Sequence, residues 1–392
     1  MISKLILGVR NPMGVPTNYY VDPSLGSDTG DGSLGTPWGR ASGSVVQYAL
    51  DTITRDSSNG DQINIKAGTD DVLSAALNLT TYGAPVYHSP LIFRGYTSAA
   101  NDGGIGGISG AGLYAINAFA NSLTGIWWRD LHLHNCGSAN VLFLHNWSGC
   151  INCELDNSTG NGIQHATQGT QSIILNNNFH NIGGYGINIT ASGGCLIKGN
   201  YFKNETNDFI AAIFLNHYQC TVENNIISVD SASDGILLGS SGFFNVIRAN
   251  SILSSSGTGA GIDVTPQQST KVYENLVEGF SGSGGIGIAY HASEQQLGGN
   301  NAVYNCATTY SNQSAIIDDL GDIDSLYSDE TLSESPFAKD GSDTFSNRFA
   351  YFVPKDVGNI WGGIYPIGSG IDKGAVQHQI VSGNFRHPLS IR

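Results

Sequence analysis

The amino-acid sequence predicts an all-β solenoid built from stacked coils of about 25 residues each. Three observations lead to this fold class. A motif with Asn two residues before an apolar residue recurs at intervals of 23–26 residues. The apolar runs between the motifs are short and rich in Ile and Val, which favours strands over helices. Gly and Asn separate these runs, at the points where the backbone of a coil has to turn.

Two columns of residues keep the same phase within residues 126–310. The first column holds the recurring Asn: Asn177, Asn200, Asn225, Asn250, Asn275 and Asn301, with Cys153 one repeat earlier and Arg129 one repeat before that. Its apolar partners are Leu155, Phe179, Phe202, Ile227, Ile252, Val277 and Val303. The second column is Ile163, Ile187, Ile213, Ile236, Ile262 and Ile288, each preceded by Gly except Ile213, which follows Ala212. Asn side chains stacked at one corner can hydrogen-bond along the coil axis, so they are predicted to form a ladder.

A leucine-rich horseshoe is the alternative for a period of this length, but it needs a Leu-dense helical half, which this sequence lacks. We therefore predict a right-handed, single-stranded parallel β-helix with an N-terminal cap helix and a C-terminal capping segment. Residues 1–18 are assigned to an N-terminal arm and residues 19–125 to the cap and the first coils. Residues 126–310 form the regular β-helix, and residues 311–392 form a capping and oligomerisation segment.

Composition excludes several functions. The formal net charge is −15, which argues against a nucleic-acid partner because such partners require a basic surface. No run of 18 apolar residues is present, so no membrane span is predicted. The apolar stretch Leu5–Val9 is broken by Arg10 and is too short for a secretory signal. We therefore expect synthesis in a cytoplasm without export by the general secretory route.

The flanks of the repeat resemble those of the pectate-lyase-like β-helix superfamily. The segment NYYVDPSLGSDTGDGSLGTPWGRASGSVVQYALDTI (Asn18–Ile53), followed by NGDQINIKAGT (Asn59–Thr69), is similar to the entry of such helices, with a short amphipathic cap helix. The segments SPFAKDGSDTF (Ser335–Phe345) and IDKGAVQH (Ile371–His378) are similar to the closing part of bacterial and phage-borne members. The resemblance spans roughly residues 18–378. It implies the fold and not one activity, because the superfamily includes lyases, hydrolases, epimerases, adhesins and virion spikes.

Acidic residues follow the strands of two successive coils. The loop NETNDFIA carries Glu205 and Asp208, and the loop one coil later carries Asp230 and Asp234. Carboxylates on adjacent coils can lie within the ~5–9.5 Å separation that glycoside hydrolysis uses. Asp208 and Asp234 are the first candidates for a catalytic pair, and Glu205 and Asp230 are secondary. Ca²⁺ binding through hard oxygens and a purely solvated role are the alternatives.

Aromatic side chains are candidates for sugar binding. Trp127, Trp128 and Trp147 are candidates for a sugar-stacking patch, although strand alternation directs one of the adjacent pair into the core.

His132 and His134 share one face of a strand, but without a third ligand in reach by sequence no metal site is predicted. The CxxC of Cys150 and Cys153 is not completed to a zinc set. Lys198, Glu223 and Arg248 occupy equivalent positions in three coils and predict a surface charge ladder, with a charged substrate groove as the alternative.

Two classes of function remain open, with a bacterial adhesin as a third. The first is a bacteriophage virion protein (a spike, fibre or head decoration) located on the virion, with host cell-surface polysaccharide as a ligand. It would contact other virion proteins through the N-terminal arm or the C-terminal segment. A homotrimer or other homo-oligomer is expected from the aromatic segment around Trp361 and Tyr365. The second class is a polysaccharide-degrading hydrolase or lyase. The superfamily's lyase pattern, a basic residue beside calcium-bound acids, and the hydrolase sets NTD, GHG and RIK are absent.

Overall fold

The structure is a computed structural model that describes residues 15–312, 316–317 and 330–331, apart from residues 84, 87, 119–122, 166–168, 191, 204–208, 231, 267–268, 293–295 and 300. Three parallel sheets form a β-solenoid of about seven turns with about 25 residues per turn. The predicted fold class is therefore confirmed. Two compact units make up the chain, residues 1–177 and residues 178–392.

The first unit contributes parallel strands to all three sheets. Within its described residues, sheet 1 contains β1 (Thr17–Val21), β2 (Asp61–Lys66), β4 (Leu91–Tyr96), β6 (Ile126–Arg129), β9 (Gly149–Ile151) and β13 (Ile173–Leu175). Sheet 2 contains β3 (Asp70–Val72), β5 (Gly106–Ser109), β7 (Leu131–Gly137) and β10 (Glu154–Ser158). Sheet 3 contains β8 (Leu142–Leu144) and β11 (Ile163–His165), and β12 (Gly169–Thr170) lies outside these sheets. Because β1 begins at Thr17, the last two residues of the predicted arm belong to a strand.

The single described helix, α1 (Val45–Thr52), lies where the sequence places the cap helix. Its buried face is Val45, Val46, Ala49 and Leu50. The N-cap Ser44 accepts a hydrogen bond from the backbone N of Gln47 at 2.9 Å. The buried carboxylate of Asp71 accepts hydrogen bonds from the first two helical N–H groups at 2.9 and 3.2 Å, which satisfies donors that a helix start leaves open.

The second unit repeats the same three-strand turn. Within its described residues, sheet 1 contains β17 (Leu196–Lys198), β20 (Thr221–Glu223), β23 (Val246–Arg248), β26 (Lys271–Tyr273), β29 (Gln296–Gly299) and β32 (Ile316–Ile317). Sheet 2 contains β14 (Asn178–Ile182), β18 (Tyr201–Lys203), β21 (Ile226–Val229), β24 (Ser251–Ser254), β27 (Leu276–Glu278), β30 (Ala302–Tyr304) and β33 (Glu330–Thr331). Sheet 3 contains β15 (Ile187–Ile189), β19 (Ala211–Leu215), β22 (Asp234–Leu238), β25 (Ala260–Asp263), β28 (Ile286–Ala289) and β31 (Thr308–Ser311), and β16 (Ser192–Gly193) lies outside them.

The predicted Asn ladder occupies the corner between sheets 1 and 2. Asn200, Asn225, Asn250 and Asn275 are buried, and the backbone N and the Nδ2 of each donate to the Oδ1 of the next Asn at 2.9–3.1 Å. In the first unit, the backbone N of Cys153 donates to the Oδ1 of Asn177 at 2.9 Å. The ladder thus satisfies the Asn N–H groups at the bend, while the Asn carbonyl oxygens accept backbone hydrogen bonds from the next turn, as Asn200 does from Ile226 at 2.9 Å.

One position of the predicted column was wrong. Leu133 pairs with Leu155 on sheet 2, so the residue equivalent to Cys153 in the preceding turn is Leu131. Arg129 lies two residues earlier, at the end of β6, where it pairs with Ile151. The error arises because the earlier turn has no Asn to fix the register.

The Ile column forms the interior of sheet 3, and the structure explains the Gly beside it. The members of the predicted column in this unit are fully buried, and each pairs with the next one along the coil axis. They are Ile187, Ile213, Ile236, Ile262 and Ile288. A Cβ at Gly261 or Gly287 would collide with the side chain of Val277 or Val303 on sheet 2. Glycine is needed at these positions because the two sheets approach closely there.

The interior lies between the sheets and is lined mainly by apolar side chains, with aromatic stacks in successive turns. Phe179 and Phe202 stack at 4.7 Å between ring centroids in the second unit, and Phe93 stacks on Trp128 at 4.2 Å in the first. In the described part of the chain, no helix has the length and apolarity to cross a membrane.

Candidate functional site

The outer face of sheet 3 in the second unit carries Asp234, one of the carboxyl groups predicted from the sequence as a catalytic candidate. Strand alternation places Asn188, Phe214, Leu237 and Asp263 in one outward column, because their neighbours Ile187, Ile213, Ile236 and Ile262 point inward. Asp234 begins β22 at one end of this face. The face therefore combines carboxylates, an amide and apolar groups on a rigid sheet.

Two aromatic stacks border this face. Tyr185 and Phe214 stack with centroids 4.7 Å apart and ring planes at 18°. At the corner that leads to sheet 1, Tyr218 and Phe243 stack with centroids 5.7 Å apart and planes at 14°. Tyr218 is 38% exposed and Phe243 is 37% exposed, and the neighbouring Phe244 is 57% exposed. We call Tyr218, Phe243 and Phe244 the aromatic corner. It offers apolar ring surface to solvent in two successive turns.

Asp234 is a carboxyl group with altered acidity. Burial, followed by the nearby charge of Asp263, raises the pKa of Asp234 to about 6, although a hydrogen bond from the backbone N of Ala260 at 2.6 Å opposes the shift. The carboxylate lies over Gly259, where a Cβ would approach its Oδ1 to 2.6 Å. A carboxyl group with this pKa is partly protonated near neutral pH, which is the property of a general acid.

The second carboxyl group near Asp234 is Asp263 on the adjacent strand β25, where it pairs with Leu237, three residues further along β22. The Oδ1 of Asp263 accepts hydrogen bonds from the backbone N of Thr265 at 2.8 Å and from its hydroxyl at 2.6 Å. Asp230 is half-buried and begins the turn before β22, where its carbonyl oxygen accepts a hydrogen bond from the backbone N of Ser233 at 3.3 Å. Glu205 and Asp208 lie outside the described residues, so the predicted pairing of Asp208 with Asp234 stays a prediction.

The three predicted Trp residues, all in the first unit, differ in their surroundings. Trp128 is fully buried and stacks on Phe93, so its proposed sugar contact was wrong: strand alternation directs it into the core. Trp127 is half-buried and its ring lies over Gly149, where a Cβ would collide with it. Trp147 is 36% exposed and adopts a positive φ of 54° in the turn before β9.

The predicted charge ladder is present on the outer face of sheet 1 in the second unit. Nζ of Lys198 donates to one oxygen of Glu223 at 2.6 Å, and Nε of Arg248 donates to the other at 2.8 Å. Burial alone would raise the pKa of Glu223, but the two cations outweigh it and lower the pKa. Because both carboxylate oxygens are engaged in ion pairs, we assign this ladder to stability.

The aromatic corner was not predicted from the sequence. Tyr218 and Phe243 are 25 residues apart, one coil period, and this spacing was the available signal. Cys195 and Cys220, which share the same spacing, are both buried.

Comparisons with known proteins agree with this fold. The family model described as a right handed beta helix region matches residues 131–308. The crystal structure of pectate lyase Pel9A is similar to this chain with a TM-score of 0.51 and 12% identity, covering 93% of this chain and 98% of that one. The structure of DFA-IIIase from Arthrobacter chlorophenolicus A6 aligns with a TM-score of 0.34 and 15% identity, over 69% of this chain and 81% of that one. The periplasmic alginate epimerase AlgG aligns with a TM-score of 0.33 and 12% identity, over 82% and 78%.

No curated protein matches the sequence. The solenoid, the family model and the Pel9A neighbour together identify the chain as a right-handed parallel β-helix protein. At 12% identity the likeness to Pel9A concerns the fold alone.

Proposed function

We propose that this protein binds a polysaccharide along the outer face of sheet 3 in the second unit, with the aromatic corner as its anchor. The observation that carries the proposal is the exposed stack of Tyr218 on Phe243, which presents aromatic surface in two successive turns. Aromatic faces suit the C–H faces of sugar rings and lose little conformational entropy on binding. A polymer with repeated rings suits a surface that repeats along the coil axis.

Polar groups beside the aromatic corner support the same ligand class. The Oδ1 of Asn216, which precedes Tyr218 by two residues, accepts a hydrogen bond from the backbone N of Ser241 at 2.9 Å, so the two successive turns are tied together. Asp263 lies half-buried on the adjoining sheet face, whereas Asn188 of the same column is only 8% exposed. Amide and carboxylate groups bind sugar hydroxyls by hydrogen bonds, while the rings bind the apolar faces.

The experiment is a binding survey against a panel of bacterial surface and plant cell-wall polysaccharides, using affinity electrophoresis or a glycan array. For the polysaccharide that binds best, the double variant Y218A/F243A should reduce affinity at least tenfold. The control is Y201A, which removes a half-buried aromatic residue of sheet 2 in the same unit. Equal affinity of Y218A/F243A and wild type would overturn the proposed location, and no binding across the panel would overturn the function.

A second candidate function, polysaccharide hydrolysis, is favoured by Asp234. Its raised pKa of about 6 suits a general acid, and Asp263 supplies a second carboxylate on the adjacent strand. We propose Asp234 as the acid and Asp263 as the ionised partner, with Asp208, Glu205 and Asp230 of the acidic loops as the alternative partners. Reducing-sugar release that persists unchanged in D234N would exclude this role, provided that the variant still binds the polysaccharide.

The virion location and the partners predicted from the sequence remain proposals. None of the three structures named above is described as a virion protein. We propose that the C-terminal segment 311–392 drives homo-oligomer formation; Trp361 and Tyr365 lie outside the described residues. Analytical ultracentrifugation of the full chain against a version truncated after residue 331 tests this. A monomer at every concentration of the full chain would contradict it.

A further inference from the structure

Two histidines and an aspartate meet on the outer face of sheet 2 in the first unit. His132 and His134 lie on β7 with their rings stacked, 4.1 Å between centroids and 8° between planes. Nε2 of His134 lies 3.0 Å from Oδ2 of Asp70, which belongs to β3. One ligand atom from each of Asp70, His132 and His134 can be chosen so that all three lie within 4.8 Å of one another. Such a set has the size of a metal coordination sphere.

Strand register explains how Asp70 reaches residues more than 60 positions later. Asp70 pairs with Gly107 on β5, and Gly107 pairs with His132 on β7, so the aspartate lies two rungs from the histidine. Two rungs correspond to about 9.6 Å between backbones. The intervening residue has no side chain, and the Asp70 carboxylate occupies the space where a Cβ of Gly107 would stand. Glycine at this rung therefore lets the carboxylate lean towards the histidines.

A second carboxylate supports the cluster from the opposite side. Oδ1 of Asp156, on β10, lies 3.2 Å from Nε2 of His132, and its side chain is only 7% exposed. In metal sites a carboxylate beside a ligating histidine fixes the orientation of the ring. Together, Asp70 and Asp156 supply two negative charges to balance a dication.

From this geometry we infer that Asp70, His132 and His134 bind a divalent transition-metal ion of the Zn²⁺ type, with Asp156 positioning His132. Imidazole ligands select Zn²⁺, Co²⁺ or Ni²⁺ over Ca²⁺ and Mg²⁺, which prefer all-oxygen sites. Three protein ligands leave one tetrahedral position for water or for a ligand from solution. The site is rigid because its ligands stand on paired strands of one sheet.

The simpler explanation is a pair of separate histidine–carboxylate contacts. In that case each imidazole would bond to its own carboxylate with no ion between them, His134 to Asp70 at 3.0 Å and His132 to Asp156 at 3.2 Å. The two explanations differ in a measurable way, since only the metal site predicts stoichiometric binding that requires Asp70.

The test is isothermal titration of the chelator-treated full chain with Zn²⁺ at neutral pH, together with metal analysis and the visible spectrum of the Co²⁺ form. We expect one Zn²⁺ per chain, a tetrahedral Co²⁺ spectrum, no competition by Ca²⁺ and a rise in Tm with Zn²⁺. D70N and H134Q should each weaken binding by at least about tenfold, and D156N by about 10–100-fold.

G107A is the sharpest variant, because it retains every ligand and fills only the space used by Asp70; it should also weaken binding. H291Q, which removes a histidine outside the cluster, should bind as wild type does. Circular dichroism of each variant separates loss of the site from loss of the fold. Wild type that binds Zn²⁺ no better than the folded double variant D70N/H134Q would overturn the proposal, as would Ca²⁺ competing on equal terms.

Discussion

Asn225 and Asn250 lie 25 residues apart in sequence, and Oδ1 of Asn250 accepts hydrogen bonds from both the backbone N and the Nδ2 of Asn225, at 3.0 and 2.9 Å. Asn225 in turn accepts the same two bonds from Asn200. Its Nδ2 also donates to the carbonyl oxygen of Ile197 at 3.1 Å. The side chain of Asn225 therefore joins three turns, and each N–H donor named here has an acceptor.

Replacement of one ladder residue should be costly. N225L removes the acceptor of two buried donors of Asn200 and the donor to Ile197, so we expect a loss of about 2–5 kcal/mol in the free energy of unfolding. Urea denaturation measures it. The control is S228L, which places the same side chain on the outer face of β21 and should change stability by less than about 0.5 kcal/mol. Equal effects of the two variants would mean that the ladder contributes nothing specific.

The charge ladder predicts an acid-sensitive stability. The pKa of Glu223 is lowered in the folded state, so its contribution is present above the unfolded pKa near 4.5 and is lost as pH falls through the lower folded value. E223Q leaves the half-buried cations of Lys198 and Arg248 beside a neutral group, so it should lower the free energy of unfolding by about 1–3 kcal/mol at pH 7. Below about pH 4 the difference between variant and wild type should shrink. A difference that is constant with pH would contradict the ion-pair assignment.

Asp234 predicts the opposite pH dependence. Its folded pKa of about 6 lies above the ordinary value of 3.8, so its contribution to stability is full below pH 4 and is lost as pH rises through 6. D234N stays uncharged, so its free energy of unfolding should exceed that of wild type by an amount that grows from pH 4 to pH 8 and reaches about 1–3 kcal/mol. Thermal unfolding across this range measures the gain. In D263N, removal of the neighbouring charge should move the pKa of Asp234 downward, which an NMR titration would detect.

The Gly column of sheet 3 predicts a steric cost. G261A places a methyl group against the side chain of Val277. Because the packed interior has no space for this methyl group, we expect the free energy of unfolding to fall by about 1–3 kcal/mol. The matched control is A212G in the same column, where the protein already carries a methyl group; its loss should reflect only a small cavity and backbone entropy. A neutral G261A would show that the two sheets can separate at this corner.

The regular part of the fold was predictable because its determinants recur in each turn. Asn225 and Ile236 each belong to a column that repeats at the coil period, so many equivalent residues indicate the same register. The register was predicted less accurately for residues in turns that lack this repetition. Arg129 was assigned to the ladder column two residues away from the true position, since its turn lacks the Asn that marks the corner.

The Asp70 cluster shows why the histidine site was beyond sequence analysis. His132 and His134 were recognisable as an HxH pair, but their third partner lies two irregular turns earlier. Its reach depends on the missing side chain of Gly107, and neither the length of those turns nor the role of that glycine follows from local sequence. By contrast, the aromatic corner had a signal in the sequence, because Tyr218 and Phe243 are 25 residues apart, which is one coil period.

The corner that holds the ladder always separates Asn from its apolar partner by two residues, as in Asn225 and Ile227. The distance from that partner to the next Ile varies, with eight residues from Phe179 to Ile187 and eleven from Phe202 to Ile213. Changes of chain length are therefore absorbed between sheets 2 and 3 without disturbing the register of the ladder. This asymmetry makes the protein a scaffold for loop grafting, because foreign peptides inserted at the variable corner leave the stacking of successive turns intact, whereas one inserted residue at the ladder corner would break it.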